Sequence, residues 1–236
     1  FQAEDGIRDR SPSRGLGDVY KRQYDGLASN EWKYNLSYVK IDLQTHVVRN
    51  ADGQVVKTPV DIDYSKKHCQ IWDTEWRGAG IPPVISLDSN GQPGFLHVVS
   101  EDSLKSHRYY YVRRVKGQWG KTPICHANHQ WNSGYLARDK AGVLHAYLPV
   151  GEGYLKGGYM DRHGGGRIEH WVSKDQGNQW DKLRDLPTDQ TKYAGWKFNN
   201  IQPVVRADGS IVDGMLLFYG WGDSRAVKAR AFLLHE

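Results

Sequence analysis

The sequence predicts an all-β chain assembled from repeated four-stranded antiparallel units. Three observations predict it. First, the composition favours side chains that suit a pleated, half-buried surface: nine Trp and fourteen Tyr stand against two Met. Second, three stretches share one layout: "PVISLDSNGQPGFLHVVSED", "SGYLARDKAGVLHAYLPVGEG" and "QPVVRADGSIVDGMLLFYGWGD". Each reads as a short apolar strand, a polar Asp/Gly turn, a second apolar strand and a polar loop, which is the pattern of an antiparallel hairpin. Third, the turn residues Asp88, Asp139 and Asp208 recur 51 and 69 residues apart.

A third alternating strand follows each hairpin, in "RYYYVRRV", "IEHWVSKD" and "AVKARAFLL". Two of these continue into a fourth strand that bears a tryptophan, Trp119 or Trp180. Four strands in roughly 50–70 residues mark a β-propeller blade. "SKDQGNQW", Ser173 to Trp180, fits the pattern S-x-D-x-G-x-x-W, the Asp-box of BNR-type propellers. There Asp175 is expected to cap a tight turn through backbone N–H groups, Gly177 to take an unusual backbone angle, and Trp180 to pack beneath the turn. The chain divides accordingly. Residues 24–75 hold the outer strands of a first blade and a long connection, residues 76–124 and 125–192 are complete blades, and residues 193–236 hold three strands of a fourth. About four blades cannot close a ring of the usual six to eight, so the chain is read as a fragment of a longer β-propeller.

Residues 1–23, "FQAEDGIRDRSPSRGLGDVYKRQ", lack an initiating Met, apolar periodicity and an apolar signal-peptide core. They resemble a translated sequencing-adapter segment of the kind fused to open reading frames in metagenomic assemblies, and are expected to stand outside the fold. Their five basic and four acidic residues account for one unit of the net charge of +5, leaving +4. That modest excess is compatible with an acidic partner without demanding one. No run of 18 apolar residues exists, so neither a membrane-spanning helix nor a membrane partner is expected, and no nucleic-acid partner either. Two cysteines cannot build a disulfide framework.

From Tyr34 to Glu236 the chain resembles the BNR-repeat family that includes the ulvan lyases and related seven-bladed, polysaccharide-cleaving propellers. The residues that carry the resemblance are "NLSYVKIDLQTHVVRNADGQVVKTPVDID", "WRGAGIPPVISLDSNGQP", the Asp-box, and "HANHQWNSGYLARDKAG". "NADGQ" then reads as a turn before a long crossover. The resemblance implies a secreted or periplasmic enzyme, monomeric when full length, that acts on an anionic glycan. It also implies that His and Tyr transfer protons while Arg neutralises the uronate, and that a structural metal, zinc or calcium, is often present. His129 matches one member of the family's paired histidines; the second has no counterpart at Pro149–Gly151.

The repeat also sorts the candidate site residues. His145 in "VLHAYL" is echoed by His97 in "FLHVVS", which marks both as blade histidines. His126 and His129 have no echo and lie in the lead-in to an innermost strand, together with Trp131 and Asn132. The neighbouring lead-ins hold Trp76 and Arg77, then Trp196, Lys197, Asn199 and Asn200. Loops between second and third strands open on the same face, with Lys105, His107 and Arg108, then Glu152, Tyr154 and Lys156, then Asp223 and Arg225. Aromatic platforms, amides and cations on one rim suit a charged sugar chain. Trp76, Trp131, Asn132, Lys197, Asn199 and Arg225 are the expected substrate contacts.

Cleavage of a uronate polymer by β-elimination needs a cation on the carboxylate, a base for the C5 proton and an acid for the leaving O4. Arg77 or Lys197 is the expected neutraliser, His129 or His126 the base and Tyr154 the acid. A sialidase-like or rhamnosidase-like hydrolase is the nearest alternative, and a non-catalytic carbohydrate-binding propeller is the third reading. A retaining glycosidase wants paired carboxyl groups about 5–5.5 Å apart, and the expected rim carries few, chiefly Glu75, Glu152 and Asp223. No cofactor is required for elimination. His68–Cys69 and Cys125–His129 would together supply thiolates and imidazoles adequate for tetrahedral zinc if the two segments met.

Overall fold

The structure, a computed structural model, describes residues 16–19, 35–75, 77, 83–101, 107–127, 134–150, 166–186, 197–207, 211–221 and 230–235. Its strands in chain order are β1 (Leu16–Val19), β2 (Leu36–Ser37), β3 (Val39–Asp42) and β4 (Val48–Arg49). After helix α1 (Ile62–His68) come β5 (Gln70–Trp72), β6 (Val84–Leu87), β7 (Pro93–Ser100), β8 (His107–Val115) and β9 (Gln118–Ala127). The remainder are β10 (Tyr135–Arg138), β11 (Leu144–Val150), β12 (Arg167–Ser173), β13 (Asp181–Leu186), β14 (Lys197–Val205), β15 (Ile211–Trp221) and β16 (Arg230–His235).

The fold class is the expected one: β6-β7-β8-β9 and β10-β11-β12-β13 are four-stranded antiparallel sheets in sequence order, and β14-β15-β16 is a three-stranded one. β9 continues to Ala127, so the boundary expected at residue 124 falls inside a strand. Local chemistry closes the hairpins. Asp88 Oδ1 accepts the amides of Asn90 and Gln92, each at 2.8 Å, and Asp139 Oδ1 accepts that of Val143 at 2.8 Å. Gly91 and Gly142 supply the positive φ that each turn requires.

Successive sheets share cores. Leu96 and Val98 of β7 meet Leu136, Leu144, Ala146 and Leu148 of the next sheet. Tyr135, Tyr147 and Ile168 of that sheet meet Phe198, Ile201, Leu216 and Phe218 of the sheet after it. Phe95, on the opposite face of β7 from Leu96, packs with Leu36, Tyr38 and Ile71. β7 is consequently buried at every position: a strand with a sheet on either side loses the polar half of its alternation.

The 24–75 region differs from a simple pair of outer strands. β2 pairs with β5, β3 pairs with β4, and α1 occupies what was expected to be a plain crossover. Asp61 caps α1, accepting the Tyr64 amide at 2.8 Å. The "NADGQ" turn is built on Asn50, whose Oδ1 accepts the Asp52 and Gln54 amides at 3.0 Å while Nδ2 donates to the His68 carbonyl at 2.8 Å. The segment expected to stand apart also contributes: β1 runs antiparallel to β3, from Leu16 opposite Asp42 to Val19 opposite Val39. This pairing satisfies backbone groups along the open side of β3.

The Ser173–Trp180 turn joins β12 to β13 through its own side chains. Asp175 Oδ1 accepts from Ser173 Oγ (2.8 Å), the Asn178 amide (3.0 Å) and the Gln179 amide (2.9 Å). Ser173 Oγ accepts the Gly177 amide at 2.7 Å. Trp180 lies edge-on to Tyr111, with ring centroids 5.6 Å apart, and joins the two sheets.

Candidate functional site

Antiparallel order brings the end of β7, the start of β8 and the end of β9 to one edge of their sheet. Ser100 stands opposite His107, and Arg108 stands opposite His126. Directly opposed residues project to the same face, and the Arg108 and His126 side chains meet there: an Arg108 guanidinium nitrogen lies 3.1 Å from His126 Nε2. Since a guanidinium only donates, Nε2 carries the lone pair and the imidazole proton sits on Nδ1. Glu101, just past β7, holds Arg108 from behind with its Oε1 2.5 Å from Arg108 Nε. Its Oε2 lies 3.8 Å from His126 Nδ1. The hydrogen bond from Arg108 to Glu101 raises the guanidinium pKa above its ordinary value, partly offset by burial.

Arg77 reaches the same edge from the lead-in to β6. Its carbonyl accepts the Ser100 amide at 2.8 Å, and its guanidinium donates to the Glu101 carbonyl and to the Thr74 carbonyl. Thr74 is fixed in turn by Asn35, whose Oδ1 accepts both its amide (2.9 Å) and its hydroxyl (3.1 Å). Among the described residues the charge of Arg77 meets the exposed Glu75 carboxylate at 3.7 Å, whereas Arg108 is closely compensated by Glu101. Arg77 and His126 remain open to solvent, at 44% and 70% of their side-chain surface.

Of the expected site residues, Arg77 and His126 both meet Glu101, Arg77 at its carbonyl and His126 at the carboxylate that also holds Arg108. Lys197 and Asn199 lie at the start of β14, and Asn199 sits where the register shifts between Phe198 and Asn200. Gly166, just before β12, is bridged to Phe198, which ties the neighbouring sheet to that strand. Trp76, His129, Trp131, Asn132, Tyr154 and Arg225 lie outside the described residues, as do Lys105, Glu152, Lys156, Trp196 and Asp223. His107 is not on a loop: it opens β8 and is buried to 1% exposure.

The two histidines expected to echo each other lie on strands but not at equivalent positions: with the Asp88 and Asp139 turns matched, Pro93 corresponds to Leu144, so His145 corresponds to Gly94 and His97 to Leu148. His97 is buried on β7, edge-on to Trp72 at 6.1 Å. His145 is half-buried on β11, with Nδ1 2.9 Å from His170 Nε2 and Nε2 3.4 Å from Asp139. Glu101 escaped the sequence reading, although "SED" after β7 matches "GEG" after β11 in position. A second acid also escaped it. Glu169, almost fully buried, accepts from Arg167 (2.7 Å), Lys182 (2.8 Å) and Trp171 (2.9 Å). Burial alone would raise its pKa; those donors outweigh burial and lower it.

Of the set suggested for zinc, Cys69 and Cys125 lie in different clusters. Cys69 is in a core cluster with Val39 and Val56, and His68 stacks on Tyr64 at 4.4 Å. Cys125 packs against a different cluster, around Leu96 and Tyr109. Burial, reinforced by Glu169, pushes the Cys125 thiol up to about 12. Among the described residues no three His, Cys, Asp or Glu side chains are grouped to hold a metal, and His129 of the suggested set lies outside them.

Whole-chain comparison places the architecture among known folds. The chain shares its fold with an ulvan lyase. A PL25 ulvan lyase bound to -[GlcA(1-4)Rha3S]- superposes with a TM-score of 0.67 and 15% identity, over 95% of this chain and 50% of that one. A second PL25 ulvan lyase structure gives 0.63 and 14%, over 94% of this chain and 48% of the other. The chain spans about half the length of these lyases. An endo-arabinase from Bacteroides thetaiotaomicron also matches, at a TM-score of 0.44 and 12% identity over 94% of this chain and 71% of that one. No protein-family profile matches the chain, and no curated protein matches it in sequence. Among the described residues no helix is long and apolar enough to cross a membrane.

Proposed function

We propose that the chain belongs to a secreted or periplasmic polysaccharide lyase that cleaves an anionic, uronate-containing glycan by β-elimination. The observation that carries this reading is the Arg77–Glu101–Arg108–His126 group: an exposed guanidinium and an exposed imidazole that both meet Glu101, the imidazole's Nε2 lone pair facing a second arginine. The shared fold with an ulvan lyase supports it.

Each group has a role in the proposed chemistry. Arg77 binds the uronate carboxylate and stabilises the charge that moves onto it as the C5–H bond breaks. His126, or His129 three residues on, takes the C5 proton. The electron pair forms the C4=C5 double bond, the C4–O4 bond breaks, and Tyr154 protonates the departing O4. Arg108 turns from His126 Nε2 toward the incoming carboxylate, which frees the lone pair for the proton. Lys197 and Asn199 extend the binding rim toward the next sheet.

Product analysis tests the reading. Incubating the protein with a glucuronate–rhamnose polysaccharide should yield an unsaturated uronate that absorbs in the far ultraviolet. New reducing ends without that absorbance would replace the lyase with a hydrolase. Binding with neither product would leave a carbohydrate-binding propeller.

A further inference from the structure

A second site is built at the opposite end of the β6–β9 sheet. The hairpin turns of β6–β7 and β8–β9 face the β3–β4 hairpin there, across a cleft of about 400 Å³. Ligand pockets of small molecules begin at roughly this size, about 300 Å³. β7 separates this cleft from the Arg77–His126 group by about 20 Å, at about 3.3 Å per residue.

The lining is chemically selective. Lys40, Arg49 and Arg114 contribute cations, Gln92 an amide, and Tyr38 and Trp119 aromatic surface. Trp119 is held from one side by Phe95, at 5.8 Å, and by Tyr38, at 6.3 Å. Arg114 is pinned to the Ala51 carbonyl and to Asp52, so its charge is positioned but shared. Arg49 donates to the Gly53 carbonyl at 3.0 Å, and its charge acts on the Asp42 carboxylate. Lys40 stands opposite Asp18 of β1 and opposite Arg49 of β4. Asp42 is the carboxylate among the described lining residues, and its Oδ1 is occupied by the amides of Gln44 (2.9 Å) and Thr45 (2.8 Å).

A fixed indole, an amide and three cations in one described lining suit a sugar ring that carries a negative group. We infer that the Lys40–Arg49–Trp119 cleft is an accessory subsite for a carboxylate- or sulfate-bearing sugar unit, separate from the Arg77–His126 rim. The inference shares with the proposed function only its class of ligand. The subsite would hold a length of the same anionic chain while another length occupies the rim.

The test follows the Trp119 indole N–H signal by NMR in the full chain, with glucuronate, glucose 6-sulfate and glucose as probes. The subsite predicts that at least one anion shifts this signal saturably and that glucose does not. Which anion does so separates carboxylate from sulfate recognition. Lys40→Gln/Arg49→Gln should weaken the response at least tenfold, and Arg77→Gln should leave it unchanged. If removing Arg49 from its turn unfolds the double variant, Lys40→Gln alone should still weaken binding severalfold, and added salt should weaken it in the parent. An unmoved Trp119 signal with both anions, an equal response to glucose, or full binding by a folded charge variant would overturn the inference. Elimination is read from product and this site from Trp119, so the two readings fail separately.

Discussion

Gly177 and Trp180 show how single residues hold two sheets together. Gly177 has φ of 90°, and a Cβ built on it would lie 2.2 Å from Tyr111 Cδ1, across the inter-sheet contact. Gly177→Ala therefore adds a strained backbone to a clash and should cost at least about 2 kcal/mol. Trp180 is only half-buried, so Trp180→Ala should cost about 2 kcal/mol, below the roughly 3–5 kcal/mol of a fully buried aromatic. Denaturant melts of both variants check this, and a Trp180→Ala protein as stable as its parent would contradict the packing role. His170 makes a different prediction. Burial first, then the adjoining His145 ring and Arg184, lower its pKa from 6.5 to about 4. It stays neutral in the folded chain, stacked on Tyr147 at 4.3 Å. Above about pH 6.5 both states leave it uncharged and stability is full. Between pH 6.5 and 4 the unfolded chain takes up a proton that the folded chain refuses, so stability falls, by on the order of 3 kcal/mol at the acid end. Glu169, whose donors hold its pKa down, adds a loss only below its ordinary value of 4.5. Melts at pH 7, 6 and 5 should show the slope, and His170→Gln should flatten it.

At the scale of elements, what was legible in the sequence is what local chemistry writes. The Asp88 and Asp139 turns announce themselves because each carboxylate caps amides two to four residues on. The strands of the two four-stranded sheets follow from alternation between those turns. Helix α1 was not legible: at seven residues it makes too few turns to show a helical apolar period. Tertiary ties hold it instead, chiefly the bond from Asn50 Nδ2 to the His68 carbonyl, which spans 18 residues. Asn50→Ala removes that donor and the acceptor of two turn amides, and should cost about 1–3 kcal/mol. Hydrogen exchange confined to residues 50–70 would place the loss, while an unchanged exchange pattern would contradict the account. Half of the site was similarly hidden. His126 stood out as a histidine without an echo and Arg77 as a cation in a lead-in, but the Glu101 contact depends on where β8 begins and on the Arg108–His126 register.

For the whole molecule, each described sheet packs on the next, and β7, β8 and β9 bring Glu101, Arg108 and His126 to one edge of theirs. A histidine within a strand network and one at an exposed strand end differ in kind. His145, bonded to His170 and Asp139, belongs to the strand network. His126, exposed beside Arg108 and within the same group as Arg77, belongs to the rim. The most direct test of the proposed elimination site compares three variants, Arg77→Gln, His126→Ala and His145→Ala, for the rate of unsaturated product on a glucuronate–rhamnose polysaccharide and for thermal melting. The account predicts that Arg77→Gln and His126→Ala lose about 10²–10⁴-fold in rate with melting unchanged, and that His145→Ala mainly lowers the melting temperature. Activity lost in His145→Ala at an unchanged melting temperature, with Arg77→Gln and His126→Ala both fully active, would contradict it.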